Sequence, residues 1–291
     1  MLTLFRRFVR LALVALSTVV IFLLLVQCRL MYYPRPYGDA DLKRMQNLGG
    51  ERIEVITAQG RQTAHYLPAE GSNRDAPEFL WWVFGGNGSL ALDYLDHVRG
   101  WDPRFAFVFV DYPGYGLCEG NPSPSRIADS IEQFSKQLTQ RFRWTGEERR
   151  QRSGVLGHSL GCAAALIAAE KQKMDRVVLC APFTSMTDMG RQLLGWPLCH
   201  LNLHRYDNGA RLKNLPADAR VIVFHGVQDE VIPVKMSQQL AAQFPDLIQL
   251  HEIPEARHND VVLLANDRIG LAMRGMAASK TPLNSADVEE R

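Results

Sequence analysis

The sequence carries little net charge and lacks any long run of basic or acidic residues. Lysine and arginine total 33, against 31 aspartate and glutamate residues, and the formal net charge is only +2. This balance argues against nucleic acid as a partner, because nucleic-acid-binding proteins present clustered basic surface to the phosphates. The short stretch GEERRQR around Arg149 and Arg150 is predicted to be a solvated loop between elements.

Cysteine is scarce and shows no metal-binding spacing. The sequence has no CxxC pair, no His/Cys zinc pattern, no dinucleotide fingerprint and no P-loop lysine. We therefore expect neither a metal nor a cofactor. An exported protein is permitted a disulfide, and Cys118 and Cys199 lie in predicted loops where a pair is conceivable. The five cysteines are Cys28, Cys118, Cys162, Cys180 and Cys199.

Charge is missing altogether from one long segment near the N-terminus. The run from Leu11 to Val26 follows three arginines, Arg6, Arg7 and Arg10. An uncharged run of this length after a basic flank is typical of a membrane-directed helix, since charged side chains are costly at the centre of a bilayer. The arginines favour the cytoplasmic side, so the rest of the chain is predicted to be non-cytoplasmic, or periplasmic in a bacterium.

We interpret residues 1–30 as a retained membrane anchor. A cleaved signal peptide is the first alternative, but LLVQCRLMYYP lacks the small residues of a cleavage site. A lipoprotein signal ending at Cys28 is the second, and Gln27 fits it poorly.

Extended and helical segments alternate along the rest of the chain. Several extended segments are continuous apolar runs, such as FAFVFV, which are typical of strands buried on both faces. The alternation predicts an α/β fold with a mostly parallel sheet of about eight strands and helices on both faces, with the first two strands as an antiparallel hairpin at one edge. The predicted strands are 52–57, 63–67, 79–84, 105–110, 154–157, 176–180, 220–224 and 248–253, and the predicted helices are 126–142, 160–171, 234–244 and 261–277.

These elements predict one α/β domain over residues 31–278. Residues 184–215 break the alternation and are predicted to be a small helical cap insertion over the carboxyl ends of the strands, where ligands bind in such sheets. Residues 279–291 are polar and aperiodic and are predicted to be a flexible tail.

The sequence GHSLG, from Gly157 to Gly161, lies between an apolar strand and an alanine-rich helix. A serine on such a turn adopts a strained backbone, and a glycine two residues to either side removes the clash. The helix N-terminus behind it offers free N–H groups to a developing oxyanion. We therefore predict Ser159 to be a nucleophile, with a plain tight turn as the alternative.

A serine hydroxyl needs a base that is itself held by an acid. Asp229 follows the strand RVIVF and His258 follows the strand IQLHEI, so both are predicted at the strand-end edge that carries Ser159. We predict His258 as the base and Asp229 as the acid, with Glu230 as the alternative acid. His225 is predicted to be structural, and His158 to pack or to contact substrate.

A glycine-rich loop, FGGNGS, follows the third predicted strand. Glycines let a backbone approach a ligand closely, and we predict an oxyanion hole from the N–H groups of Asn87 and Leu160. A plain glycine turn is the alternative.

Taken together, these motifs resemble those of membrane-anchored α/β-hydrolase domain-containing serine hydrolases, related to the serine aminopeptidase and monoacylglycerol lipase-like branch. The similarity extends from about Tyr32 to Leu264 and rests on GGNGS, DYPGYGLCEGNPS, GHSLG, APFTSMTDM, HRYDN, HGVQDEVIP and ARHND. The resemblance implies an α/β-hydrolase fold and a structural role for Asp111. Cys118 stands where relatives commonly carry serine, and Gly85 stands where they commonly carry histidine.

The resulting expectation is a serine hydrolase that cleaves a carboxylic ester, with an acyl lipid as the expected substrate. An acyl-protein thioesterase or a peptidase would use the same three residues. A non-catalytic binding protein on a hydrolase fold is the alternative from another class. The sequence does not indicate an oligomeric state.

Overall fold

A central hydrophobic sheet organises the chain, and the computed structural model describes residues 1–98 and 100–278. The strands are β1 (Glu51–Thr57), β2 (Gly60–Leu67), β3 (Phe79–Phe84), β4 (Phe105–Val110), β5 (Ser153–His158), β6 (Arg176–Cys180), β7 (Arg220–Gly226) and β8 (Ile248–Ile253). They form an eight-stranded sheet in the order β1-β2-β4-β3-β5-β6-β7-β8. β1 and β2 form the predicted antiparallel hairpin at one edge, and the sheet is mostly parallel, as predicted. The antiparallel pairing of β2 with β4 was not predicted.

The helices cover both faces of this sheet. They are α1 (Leu2–Met31), α2 (Asp39–Asn47), α3 (Leu95–Val98), α4 (Pro124–Phe142), α5 (Gly146–Gln151), α6 (Leu160–Gln172), α7 (Met186–Leu194), α8 (Asn208–Lys213), α9 (Lys235–Gln243), α10 (Val261–Leu264) and α11 (Asn266–Ala278). Because neighbouring side chains of a strand point to opposite faces, Trp82 joins a core with α4 and α6, and Trp81 joins a core with α11. Both tryptophans are buried, as continuous apolar strands require.

Two predictions about helices were wrong. The segment GEERRQR, predicted to be a loop, contains the short helix α5, where Thr145 and Glu148 form a reciprocal cap. Its Arg150 also pairs with Asp175 and Asp218. The predicted helix 261–277 is divided at Ala265, whose backbone leaves helical geometry at φ −96° and ψ 8°.

Residues 184–215 contain α7, a 3₁₀ turn at Leu198–Leu201 and α8, and they follow the carboxyl end of β6.

All five cysteines lie in the described part of the chain and are free, so the structure does not pair Cys118 with Cys199. The predicted tail at 279–291 lies outside the described residues.

Helix α1 projects from the domain, and most of its side chains are exposed. From Leu2 to Arg29 it is long and apolar enough to cross a membrane, by length and composition alone. Its last turns contact the 3₁₀ turn at Leu198–Leu201.

The start of α6 lies against the end of β3 at a glycine that has no room for a side chain. A Cβ on Gly161 would lie 2.1 Å from the carbonyl oxygen of Phe84, whereas one on Gly146 would meet nothing within 4 Å. We expect Gly161→Ala to lower the free energy of unfolding by about 2 kcal/mol. The matched change Gly146→Ala, at the start of α5, should leave it unchanged or raise it slightly. Urea unfolding followed by tryptophan fluorescence measures both, and equal midpoints for the two variants would contradict this account.

Candidate active site

Ser159 occupies the turn between β5 and α6. It is one of the few non-glycine residues with positive φ, at φ 56° and ψ −120°. A strained conformation of this kind persists only where the surroundings impose it. Here a Cβ on Gly157 would lie 2.3 Å from the carbonyl oxygen of Gly161, so the two flanking glycines allow the turn to close. The serine hydroxyl is thereby held above the carboxyl ends of the parallel strands.

The structure brings Ser159 into contact with the two residues predicted to act with it. The hydroxyl of Ser159 lies 2.9 Å from Nε2 of His258, and Nδ1 of His258 lies 2.8 Å from Oδ2 of Asp229. Since a carboxylate only accepts, Nδ1–H donates to Asp229 and the Nε2 lone pair faces the serine hydroxyl. All three side chains are shielded from water, with Ser159 8% and His258 5% exposed and the Asp229 carboxylate fully buried.

Asp229 is held by its own loop. Its Oδ1 accepts the N–H groups of Val231 and Ile232 at 2.8 and 2.7 Å, and its Oδ2 lies 3.2 Å from Nε2 of His225. Burial alone would raise the pKa of Asp229, but the hydrogen bonds from His225, His258 and Ile232 outweigh it and hold the pKa below its usual range. The carboxylate therefore stays ionised and aimed at the imidazole.

The alternative acid, Glu230, is placed differently. Its carboxylate is exposed, pairs with Arg257 at 3.4 Å and accepts the backbone N–H of His258 at 3.4 Å. It therefore supports the loop of His258, while Asp229 contacts the imidazole ring.

His158 and Tyr94 join the site to its surroundings. The carbonyl oxygen of His258 can only accept, so Nε2–H of His158 donates to it at 3.0 Å, and Nδ1 of His158 accepts from the hydroxyl of Tyr94 at 2.8 Å. The Tyr94 oxygen in turn accepts the N–H of Gly86 at 3.3 Å. Burial, reinforced by nearby His258, lowers the pKa of His158 to about 4, so His158 is neutral at physiological pH.

Tyr94 was not predicted from the sequence. Gly85, which stands where relatives commonly carry histidine, was a signal that another side chain fills this space. A Cβ on Gly85 would lie 3.2 Å from the Tyr94 ring and 3.3 Å from Cβ of Ser89. The tyrosine therefore occupies space that a histidine at position 85 would need. Its hydroxyl binds both the glycine-rich loop and His158, so one side chain supports that loop and, through His158, the loop of His258.

The two residues predicted for an oxyanion hole both line the cavity above Ser159. Leu160 is the first residue of α6, where N–H groups have no partner within the helix. The side chain of Asn87 is already engaged, because its Oδ1 accepts the N–H of Tyr33 at 3.0 Å and the hydroxyl of Tyr115 at 2.8 Å. The Asn87 side-chain oxygen is therefore occupied, and an oxyanion hole formed by the backbone N–H groups of Asn87 and Leu160 stays a prediction.

Asp111 lies in a supporting position. It accepts the hydroxyl of Tyr37 at 2.6 Å and the N–H of Ala91 at 2.9 Å, and burial raises its pKa to about 6. Cys118, the other departure from relatives, is buried and accepts the N–H of Thr63 at 3.2 Å. Both residues hold loops around the sheet.

A cavity of about 350 Å³ opens above Ser159, and its lining is mostly aliphatic. This volume lies within the range of small-molecule sites. Within residues 1–98 and 100–278, no group of three or more His, Cys, Asp or Glu side chains is arranged to hold a metal ion. The apolar side chains that line the cavity include Leu23, Met31, Phe183, Met186, Met189 and Leu193.

Residues 80–278 match the model of the Alpha/beta hydrolase family, which is more than half of the chain. The chain belongs to this family. Membership supports a hydrolase and agrees with the eight-stranded sheet. Among curated proteins, this hydrolase is 28% identical over 257 residues to the uncharacterized protein Rv2307c of Mycobacterium tuberculosis (strain ATCC 25618 / H37Rv), covering 87% of both chains.

Solved structures share the fold of this hydrolase at low sequence identity. The esterase Pf2001 of Pyrococcus furiosus superposes with a TM-score of 0.63 at 13% identity, covering 84% of this chain and 97% of the esterase. The acylaminoacyl peptidase of Pyrococcus horikoshii has a TM-score of 0.63 at 11% identity, covering 86% of this chain and 46% of the peptidase. An esterase and a peptidase on one fold show that the fold alone does not select the bond that is cleaved.

The hydroxyl of Tyr94 joins two buried polar groups, Nδ1 of His158 and the N–H of Gly86. We expect Tyr94→Phe to lower the free energy of unfolding by about 1–3 kcal/mol, because His158 Nδ1 and the Gly86 N–H lose their partner in a buried site. Tyr33→Phe is the matched control, since Tyr33 is 56% exposed and its backbone N–H is retained. Thermal unfolding of both variants measures the difference, and equal melting temperatures would show that the buried hydroxyl is not needed.

Proposed function

We propose that this hydrolase cleaves carboxylic esters through a covalent acyl-enzyme on Ser159, with acyl lipids as its substrates. The observation that carries the proposal is the chain of hydrogen bonds from Ser159 to His258, at 2.9 Å, and from His258 to Asp229, at 2.8 Å. It lies beside an aliphatic cavity and needs no further group to make the serine nucleophilic.

In the first half-reaction, Oγ of Ser159 attacks the ester carbonyl while Nε2 of His258 takes the hydroxyl proton. The N–H groups of Leu160 and Asn87 donate to the oxyanion of the tetrahedral intermediate. The C–O bond to the alcohol then breaks, and His258 returns the proton to the leaving alcohol. Water repeats the sequence on the acyl-enzyme and releases the acid. Asp229 orients the imidazole and stabilises its cationic form throughout.

The aliphatic lining supports an acyl substrate over a polar one. Met186, Met189 and Leu193 of α7 line the cavity together with the buried Phe183. Burial of an acyl chain against such surface is favourable by about 0.8 kcal/mol per methylene group. An acyl-protein thioesterase offers the same chain to the cavity, whereas a peptidase would also need polar groups for the peptide backbone. A binding protein that merely retains the fold would have no use for a buried, aligned Ser159–His258 pair.

Fluorophosphonate labelling tests the assigned roles. We expect the wild type to be labelled and Ser159→Ala to remain unlabelled. Asp229→Asn should lower kcat for p-nitrophenyl esters by about 10³–10⁴-fold, because the asparagine amide disfavours the imidazole tautomer that the serine needs. The matched control Glu230→Gln should change kcat by less than about tenfold, since that exposed carboxylate pairs with Arg257 and contacts His258 through its backbone N–H, not through its ring.

The outcomes separate the alternatives. A wild type that resists labelling under conditions that label another serine hydrolase would favour the binding protein. Labelling that survives Ser159→Ala would place the nucleophile elsewhere. A larger effect from Glu230→Gln than from Asp229→Asn would exchange the roles of the two acids.

We further propose that residues 1–30 anchor the enzyme in a membrane and that the domain formed by residues 31–278 lies on the non-cytoplasmic side. The support is the exposed apolar surface of α1, with Leu11, Leu16 and Phe22 each more than half exposed. Such side chains are stable in hydrocarbon and costly in water. Arg6, Arg7 and Arg10 at the start of the helix favour the cytoplasmic side.

Membrane fractionation tests the anchor. We expect the full-length protein to stay with membranes through a high-salt wash and to be released only by detergent, because hydrophobic insertion is insensitive to charge screening. Immunoblotting of a protein with different tags at its N- and C-termini measures the distribution of both ends. Release of full-length protein by salt would contradict the anchor, and a soluble form lacking the N-terminal tag would indicate a cleaved signal peptide.

A further inference from the structure

Helix α1 forms part of the wall of the cavity above Ser159. Three of its residues, Leu23, Gln27 and Met31, line that cavity. Their spacing of four places them on one face of the helix. All three are partly buried, while Phe22 and Leu25, on other faces, are 61% and 76% exposed.

Specific contacts hold this face of α1 against the domain. Oε1 of Gln27 accepts the N–H of Leu203 at 2.8 Å. Directly after the helix, the hydroxyl of Tyr32 lies 2.8 Å from Nδ1 of His204 and 2.9 Å from the hydroxyl of Tyr206. Tyr32 is only 3% exposed. The register of the helix on the cap insertion is therefore defined by polar contacts as well as by hydrophobic ones.

Gln27 does not make this wall polar. Its Nε2–H₂ donates to the carbonyl of Leu24 at 3.2 Å, and its Oε1 is occupied by Leu203. Because both ends of the amide have partners, a ligand in the cavity meets mainly aliphatic surface.

The segment that contains α7 and the 3₁₀ turn also carries exposed apolar side chains beside the cavity. Leu193 lines the cavity and is nevertheless 80% exposed, so the cavity opens beside it. Leu194 and Trp196 are 47% and 76% exposed, and Leu203, next to α1, is 66% exposed. Clustered exposed leucine and tryptophan next to a membrane-directed helix are typical of a surface that sits in a lipid interface.

We propose that the cavity opens to the bilayer and that the acyl chain of a membrane ester enters it along α1, in contact with Leu23 and Met31. This inference rests on the proposed function of Ser159. At 1.5 Å per residue, the wall from Leu23 to Met31 extends for about 12 Å along the helix. Leu23 lies within the apolar segment Leu2–Arg29, so the wall reaches from the domain into the depth of the hydrocarbon. The anchor thus selects the acyl chain as well as holding the enzyme.

The test compares substrates of different chain length on the full-length enzyme in phosphatidylcholine vesicles. The measured quantity is the ratio of kcat/KM for p-nitrophenyl dodecanoate to that for p-nitrophenyl acetate. We expect Leu23→Trp, which places a larger side chain in the acyl path, to lower this ratio about tenfold. Leu25→Trp is the matched control, since it adds the same side chain to an exposed face of the same helix, and its ratio should equal that of the wild type.

A second measurement avoids turnover. We expect Leu23→Trp to slow labelling of Ser159 by a hexadecyl fluorophosphonate relative to an ethyl fluorophosphonate, again by about tenfold. If Leu23→Trp is not labelled by the ethyl probe, it has failed to fold, and the milder Leu23→Phe replaces it in both comparisons. An unchanged ratio in a variant that the ethyl probe still labels would overturn the inference and leave the proposed function standing. A wild type that neither probe labels would overturn the proposed function itself.

Discussion

The close approach of α6 to the ends of β3 and β5 is the constraint on which the site depends. Gly157 and Gly161 leave no space for a Cβ between the backbones, and this contact forces Ser159 into its strained turn. The same contact sets Gly161 against the carbonyl groups of Phe84 and Gly85, where the glycine-rich loop begins. Ser159 and the glycine-rich loop are therefore positioned by one backbone junction, with no adjustable side chain between them.

Polar side chains extend this rigidity outwards. Tyr94 connects Gly86 to His158, His158 holds the backbone of His258, and Asp229 holds the ring of His258. Most of this network is buried, where each hydrogen bond is stronger than in water and each unpaired group is costly. Under the proposed function, these contacts would hold the imidazole in place while charge develops on a substrate, with little reorganisation.

Most of the sheet was predictable because its strands are continuous apolar runs bounded by turn residues. Ser159, Asp229 and His258 were predictable as candidates because each follows a strand end, although their roles remain a proposal. Tyr94 was not, since its importance arises from a contact with a residue 64 positions away. Helix α5 was missed because all of its side chains are at least partly exposed and give no apolar period. The side of α1 that faces the cavity could not be predicted from the sequence either. A helix that is apolar all round has no face that the pattern of residues distinguishes.

The hydrogen bond from the N–H of Tyr33 to the side chain of Asn87 ties the end of α1 to the glycine-rich loop. Together with the contacts of Tyr32, this hydrogen bond fixes the rotation of α1 about its own axis. Each residue of an α-helix advances by about 100°. A single insertion between Gln27 and Tyr32 would lengthen α1 by only one residue and could leave it equally apolar, yet it would turn Leu23 away from the cavity. For this chain, the rotational angle of α1 about its own axis determines the lining of the cavity above Ser159, just as the turn after β5 determines the position of the serine.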